Sequence, residues 1–382
     1  MSRTAARGKP DAAVDRILAI RAEAGEQFFE AEAERIARLC RLLAERFARG
    51  GRLLAVASTP QGWSDAHHVA VEFVHPVIVG KRALPALALS AADLDLLARG
   101  DDMVMTFDEP VPAPPGVLSI AFSKAGADWD FVPRGDDPFV HQEIAETAYH
   151  MLWELVHVFF DHLGGSSAGA GASGFLYPFL DEEGRDLTTV EEDVRASVSM
   201  KAAEIGDLRV RTVEGARAEL TAAARALRER FATGGTLFAF GNGGSATDAM
   251  DLVADFRAAP QGWPSLRAVD LTADSAILTA LANDIGSEVL FSRQLIAYAK
   301  PGVDAAIALS TSGNSANIME ALAEARRRNL LTVALVGYDG GRIAAERLAD
   351  HVIVTPSEHI PRIQEAQATA YHTLRELVEA VP

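Results

Sequence analysis

The chain has a single cysteine among 382 residues, Cys40, which excludes an internal disulfide and any cysteine-based zinc cluster. Cations are also scarce: 36 Lys and Arg against 53 Asp and Glu give a formal charge of −17. Such a surface repels the phosphates of nucleic acid or of an acidic membrane, so neither is expected as a partner, although a small anion can still be held locally. No run reaches the roughly 18 apolar residues that a membrane span needs. The first residues, MSRTAARGKPDAAVDR, lead into charged helix-like sequence without the apolar core of a signal peptide. These absences predict a soluble protein in a reducing, cytoplasmic setting.

What is present is apolar material for sizeable cores, 49% of the residues, in a length that suits two domains. The segment from Gly164 to Gly174, GGSSAGAGASG, is small-residue sequence without periodicity and reads as a linker. The expected organisation is a first domain over 1–163, a linker over 164–185 and a second domain over 186–382. The flanks repeat each other. AERFARGGRLLAVAS (44–58) matches RERFATGGTLFAFGN (228–242), and HQEIAETAYHMLWELV (141–156) matches IQEAQATAYHTLRELV (363–378). Two matches in the same order indicate an internal duplication. The strands read as short continuous apolar runs, such as LFAF (237–240) and LTVALV (331–336), without polar alternation. That pattern predicts an α/β chain with two tandem doubly wound parallel sheets covered by helices.

Two loops of the second half suit phosphate. In GNGGSATDA (241–249), glycines after an apolar strand let backbone N–H groups approach an anion, and the helix that follows adds about half a positive charge. A second strand ends in STSGNS (310–315), where Ser310, Thr311, Ser312 and Ser315 crowd a turn suited to Gly313 and Asn314. Capping the next helix needs one such hydroxyl.

Together with LANDIG (281–286), VGYDGGR (336–342) and RIQEAQATAYH (362–372), these loops resemble the sugar isomerase (SIS) domain, and within it the phosphoheptose isomerases. The resemblance covers about 190–382. It implies a phosphosugar on the serine loop and an aldose–ketose isomerisation through an enediol, such as sedoheptulose 7-phosphate to a heptose 7-phosphate. By this resemblance Ser310, Thr311, Ser312, Asn314 and Ser315 hold phosphate, with Asn242, Gly243, Gly244 and Ser245 helping. Asp284 then faces the sugar hydroxyls and Gln364 lies beside the substrate.

Members of the family also place a His and a Glu four apart on the helix after the first loop, with a Gln and a His eight apart near the last helix, to bind zinc and move the proton. Residues four apart share a helix face, and imidazole with carboxylate suits a divalent ion. In the second half these positions hold Asp251, Asp255, Gln364 and His372, so both helix ligands have changed. In the first half, aligning DAHHVAVEF (65–73) with DAMDLVADF (248–256) gives His68 and Glu72, and Gln142 and His150 complete the set. The first copy thus keeps the metal residues, a set for zinc, but has STPQGW (58–63) in place of the glycine loop. Gln142 and His150 stand about 12 Å apart along a straight helix, so Gln142 is expected at or before the helix start. The resulting expectation is a site combined from both copies: phosphate on 310–315, Glu72 as base, and His150 or His372 as acid. A conservative version uses Asp255 as base and His372 as acid. Two such chains are expected to pair as a homodimer with four SIS-type units. A non-catalytic sugar-phosphate sensor is the alternative, favoured by the changed Asp251 and Asp255.

Overall fold

The computed structural model describes residues 10–77, 81–108, 110–163, 187–259 and 261–380. The segment expected as a linker, 164–185, lies outside the described residues. Two compact units emerge, one from Glu23–Glu204 and one from Met1–Ala22 with Ile205–Pro382. Their limits therefore fall within two long helices, α1 (Pro10–Ala48) and α5 (Leu187–Gly215). Among the described residues no helix is long and apolar enough to cross a membrane.

The N-terminal unit contains β1 (Leu53–Ala57), α2 (Pro60–Val74), β2 (Ala86–Ser90), α3 (Ala91–Leu97), β3 (Met103–Thr106), β4 (Leu118–Ala121), β5 (Trp129–Asp130) and α4 (Pro138–Leu163). Its strands are parallel, in the order β2-β1-β3-β4-β5. The C-terminal unit contains α6 (Arg217–Ala232), β6 (Leu237–Phe240), α7 (Gly244–Arg257), β7 (Ala268–Asp270), α8 (Ser275–Asp284), α9 (Ser292–Tyr298), β8 (Ala305–Ser310), α10 (Ala316–Arg327), β9 (Leu331–Gly337), α11 (Gly341–Ala345), β10 (His351–Thr355) and α12 (Ile360–Ala380). Its strands are also parallel, in the order β7-β6-β8-β9-β10. Numbered within each unit, both sheets run 2-1-3-4-5, so the strand order reverses between the first and third strands. In such sheets the crevice at the carboxyl ends of those two strands is where ligands bind.

The matched glycine pairs have the same physical cause in both units. Gly50 and Gly234 leave their helices in the left-handed region at φ 89° and 82°. Their successors pass close to backbone: a Cβ on Gly51 would overlap the carbonyl of Asp101, and one on Gly235 would stand 2.5 Å from that of Val303.

The first sheet face of the N-terminal unit packs Leu53, Ala55 and Met105 against Leu43, Phe47 and Phe73 and the fully buried Trp153 of α4. Cys40 lies in this core, where burial raises its thiol far above the ordinary range and leaves it inert. In the C-terminal unit the corresponding face joins Leu237, Ala239 and Val333 to Leu220, Leu227, Phe256 and Leu374. The other faces differ. Helices α9 and α10 cover Phe240, Ala306 and Ala308 with Leu295, Ile318 and Leu322, whereas the N-terminal counterpart is the small cluster Leu54, Val56, Leu94, Val104 and Val117.

Candidate functional site

The two phosphate-type loops lie at the carboxyl ends of β6 and β8, at the point where the strand order reverses. After β6, a Cβ on Gly241 would overlap the backbone of Ser245, and Gly243 caps α7 at φ 57°, so a larger residue cannot keep this turn. Ser245 is buried at the first turn of α7. After β8, Ser310 Oγ accepts the N–H of Gly313 at 3.1 Å and Ser312 Oγ accepts that of Asn314 at 3.2 Å. Ser315 is the N-cap of α10, yet its hydroxyl makes no capping bond. Thr311 is half-buried on the same turn.

The loops are stitched together by a residue that the motifs did not single out. Asn242 and Asn317 exchange amide hydrogen bonds at 3.0 and 2.9 Å. Asn317 is the polar residue in the first turn of α10, and its long-range partner is what gives it a role. The VGYDGGR segment braces the serine loop from behind: Asn314 accepts the N–H of Arg342 at 3.0 Å, and Gly341 leaves no room for a Cβ beside Ser312 and Asn314. Asp284 ends α8 exposed, accepting the amide of Asn283 at 2.7 Å.

Behind the loops, α7 carries Asp251 and Asp255 one turn apart, and α12 presses His372 between them. His372 Nε2 is 3.4 Å from Asp251 and 3.2 Å from Asp255, and the Tyr371 hydroxyl donates to Asp251 at 2.9 Å. Arg375 fixes this contact by donating to the Asp255 carbonyl at 3.2 Å while its guanidinium lies over Phe256 and Trp263. All three ionisable groups are buried, and their ligand atoms lie within 4.8 Å of one another. The altered positions Asp251 and Asp255 therefore still form a compact acid–base cluster. Gln364 is buried on α12 eight residues before His372, about 12 Å along the helix.

The N-terminal unit builds the same arrangement from α2 and α4. His150 Nε2 lies 3.2 Å from His68 Nε2, and His68 is 4.0 Å from Glu72 Oε1. These three also gather within 4.8 Å and are buried. Burial, reinforced by the facing His150, holds His68 well below its ordinary value. Burial first, and the neighbouring Glu154 second, push the Glu72 carboxyl up to about 8 against the pull of Lys81. Gln142 departs from expectation. It lies inside α4, which starts at Pro138, and its amide donates to Asp65 at 3.1 Å and Glu146 at 3.5 Å. The structure gathers His68, Glu72 and His150, while Gln142 stands two turns earlier on the same helix as His150 rather than before its start.

The SIS domain model matches residues 202–337, which span both phosphate-type loops. The phosphoheptose isomerase of Trichlorobacter lovleyi is 44% identical over 170 residues, covering 42% of this chain and 84% of that protein. The chain belongs to the phosphoheptose isomerase family. Another member, the phosphoheptose isomerase of Chlorobium phaeobacteroides, is 40% identical over 198 residues, covering 51% of this chain and 84% of its own length. This phosphoheptose isomerase homologue is thus about twice as long as the part its relatives match. A solved structure, the C-terminal domain of glucosamine-fructose-6-phosphate aminotransferase from Francisella tularensis, follows 95% of this chain and 93% of its own, with a TM-score of 0.60 and 11% identity. That likeness is one of fold.

Proposed function

We propose that this isomerase interconverts a seven-carbon ketose phosphate, sedoheptulose 7-phosphate, and a heptose 7-phosphate, with the phosphate held by Ser310, Thr311, Ser312, Asn314 and Ser315 and by the turn Asn242–Ser245. The observation that carries this is the pair of loops joined through Asn242 and Asn317 at the strand-order reversal. Serine and threonine hydroxyls and two helix N-termini lie at that edge, a set suited to a dianion.

The same unit supplies the proton transfer. Asp255 removes the proton from the carbon next to the carbonyl while His372 gives one to the carbonyl oxygen, forming an enediol; Asp255 then returns its proton to the former carbonyl carbon while His372 takes one from the hydroxyl of the neighbouring carbon, which becomes the new carbonyl. No electron leaves the sugar. Both groups end the cycle in the protonation states in which they began, and the 3.2 Å between Asp255 and His372 keeps base and acid beside the same pair of carbons. Asp284, at the exposed end of α8, faces the sugar hydroxyls, and Gln364 orients the substrate.

His68, Glu72 and His150 fit a divalent ion, zinc by their chemistry: two imidazole nitrogens face one centre, and the buried Glu72 Oε2 has no hydrogen-bond partner. A bound ion there supplies a Lewis acid that polarises a carbonyl. With Glu72 as base and His150 as acid, this set is the competing proton-transfer machinery.

We read the two units as copies of one domain, supported by their common strand order, their glycine pairs, and the Tyr149–His150 and Tyr371–His372 pairs facing the helix after the first strand. A homodimer of such chains has four SIS-type units. Chromatographic detection of the aldose product from sedoheptulose 7-phosphate tests the activity. Replacing Ser310 and Ser312 together by Ala should raise KM on the order of 100-fold, since each is a hydrogen bond to a charged group. An unchanged KM removes the serine loop from the site.

A further inference from the structure

In the N-terminal unit the turn after β1 already holds an anion, and the anion is its own. Asp108 Oδ2 accepts the N–H of Ser58 at 2.8 Å, the N–H of Thr59 at 2.7 Å and the Thr59 hydroxyl at 2.9 Å. The Thr59 oxygen in turn caps α2 by accepting the N–H of Gly62 at 3.1 Å. Gly62 lies so close that a Cβ there would stand 2.5 Å from the same carboxylate oxygen. The carboxylate therefore sits in a fitted cradle at the positive end of a 15-residue helix.

Sheet register shows which position Asp108 occupies. Leu53 pairs with Met103 and Leu237 with Ala305, and aligning the matched glycine pairs makes Leu53 the counterpart of Leu237. Counting five residues on from Met103 and from Ala305 reaches Asp108 and Ser310, the first hydroxyl of the serine loop. Where the C-terminal unit offers a phosphate ligand, the N-terminal unit offers a negative charge, directed into the turn equivalent to Asn242–Ser245.

We infer that Asp108 is a built-in replacement for phosphate, which closes the anion position of the N-terminal unit and limits the chain to one phosphosugar, bound at the Ser310 loop. The inference rests on reading that loop as the phosphate site. A tethered carboxylate pays no translational entropy to return to its donors, so free phosphate competes with it poorly. Any phosphate that approaches also meets its charge at short range.

Equilibrium dialysis of the full chain against labelled inorganic phosphate tests this. Wild type should saturate near one phosphate per chain, and Ser310→Ala with Ser312→Ala near none, with occupancy following simple mass action. Asp108→Ser, which removes the charge and restores the hydroxyl of the other unit, should gain one equivalent. Its thermal midpoint should fall by about 5 °C without phosphate and recover with it. Asp108→Asn, which keeps the volume, should gain none.

Two equivalents on wild type, one remaining on the double serine variant, or a folded Asp108→Ser that gains none and is not rescued would each overturn the inference. If Asp108→Ser does not fold at any phosphate concentration, the wild-type and double-serine counts still decide. If wild type binds none and Asp108→Ser binds one, the serine-loop reading fails while the role of Asp108 stands.

Discussion

Two sheets of identical strand order differ at their carboxyl ends. The C-terminal unit covers both faces of its sheet and ends β6 and β8 in loops of glycine, serine and asparagine, while the N-terminal unit ends β1 in a proline-containing turn closed by Asp108 and covers its second face thinly. The buried clusters under the sheets differ less in place than in chemistry. Two imidazoles and one carboxylate in the first unit stand where two carboxylates and one imidazole stand in the second. The scaffold thus fixes where ionisable groups meet, and the residue types decide whether the meeting point suits a metal ion or a proton.

The most damaging change separates these roles. Asp255→Asn should lower kcat on the order of 1000-fold, the usual contribution of a positioned base, with phosphate binding intact. Glu72→Gln should leave kcat within about tenfold on the same scale. Turnover of sedoheptulose 7-phosphate by both variants checks this, and the reverse pattern moves the base to the N-terminal unit. Next in size, His68→Ala should weaken zinc on the order of 100-fold by isothermal titration, because it removes one of two imidazoles. Asp251→Asn should affect zinc far less, since the C-terminal cluster offers carboxylate oxygens that suit harder ions.

Much of this was legible in the sequence. Short apolar runs without alternation gave the parallel strands because both faces of each sheet are covered, and the serine loop was visible because four hydroxyls exceed what capping needs. The unit limits were not legible. Helix α1 is 39 residues long and its first turns, through Val14 and Leu18, join the core of Leu220 and Leu227, which periodicity alone cannot assign. Asn317 and Asp108 were missed, and Gln142 was expected at or before the helix start rather than inside it, for a shared reason: each is defined by a partner far along the chain, Asn242, Thr59 and Asp65.

Acid should strain the units unequally. His157 on α4 lies between the carbonyls of Trp153 and Arg82, and burial, with Lys81 and Arg82 nearby, lowers it to about 4. Its folded value is below the unfolded one, so the unfolded chain takes the proton first. The stability it contributes is complete above about pH 6.5 and is lost as pH falls toward 4. Its partial exposure keeps the loss below about 3 kcal/mol. The matched position in the second unit is Glu379, paired with Arg375 at 2.6 Å, which has no such histidine. Urea midpoints between pH 7 and pH 4 should fall less for His157→Gln than for wild type.

The smallest effect probes the joint between the two loops. Each amide of the Asn242–Asn317 pair both donates and accepts, so removing either side chain loses two hydrogen bonds at once. Because the pair is exposed, water takes up the released groups, and losing the two bonds together should cost about 1 kcal/mol, the low end of the range for each. Asn317→Ala should therefore raise KM about fivefold with kcat unchanged, because it loosens the phosphate cradle and leaves Asp255 and His372 in place. Asn242 also belongs to the phosphate turn, so Asn242→Ala should raise KM somewhat more. In the double variant the shared bonds are counted once, and the increase should fall short of the product of the two single effects by about fivefold. A strictly multiplicative double variant would mean that the amides act on phosphate separately and that the loops hold their spacing without this joint.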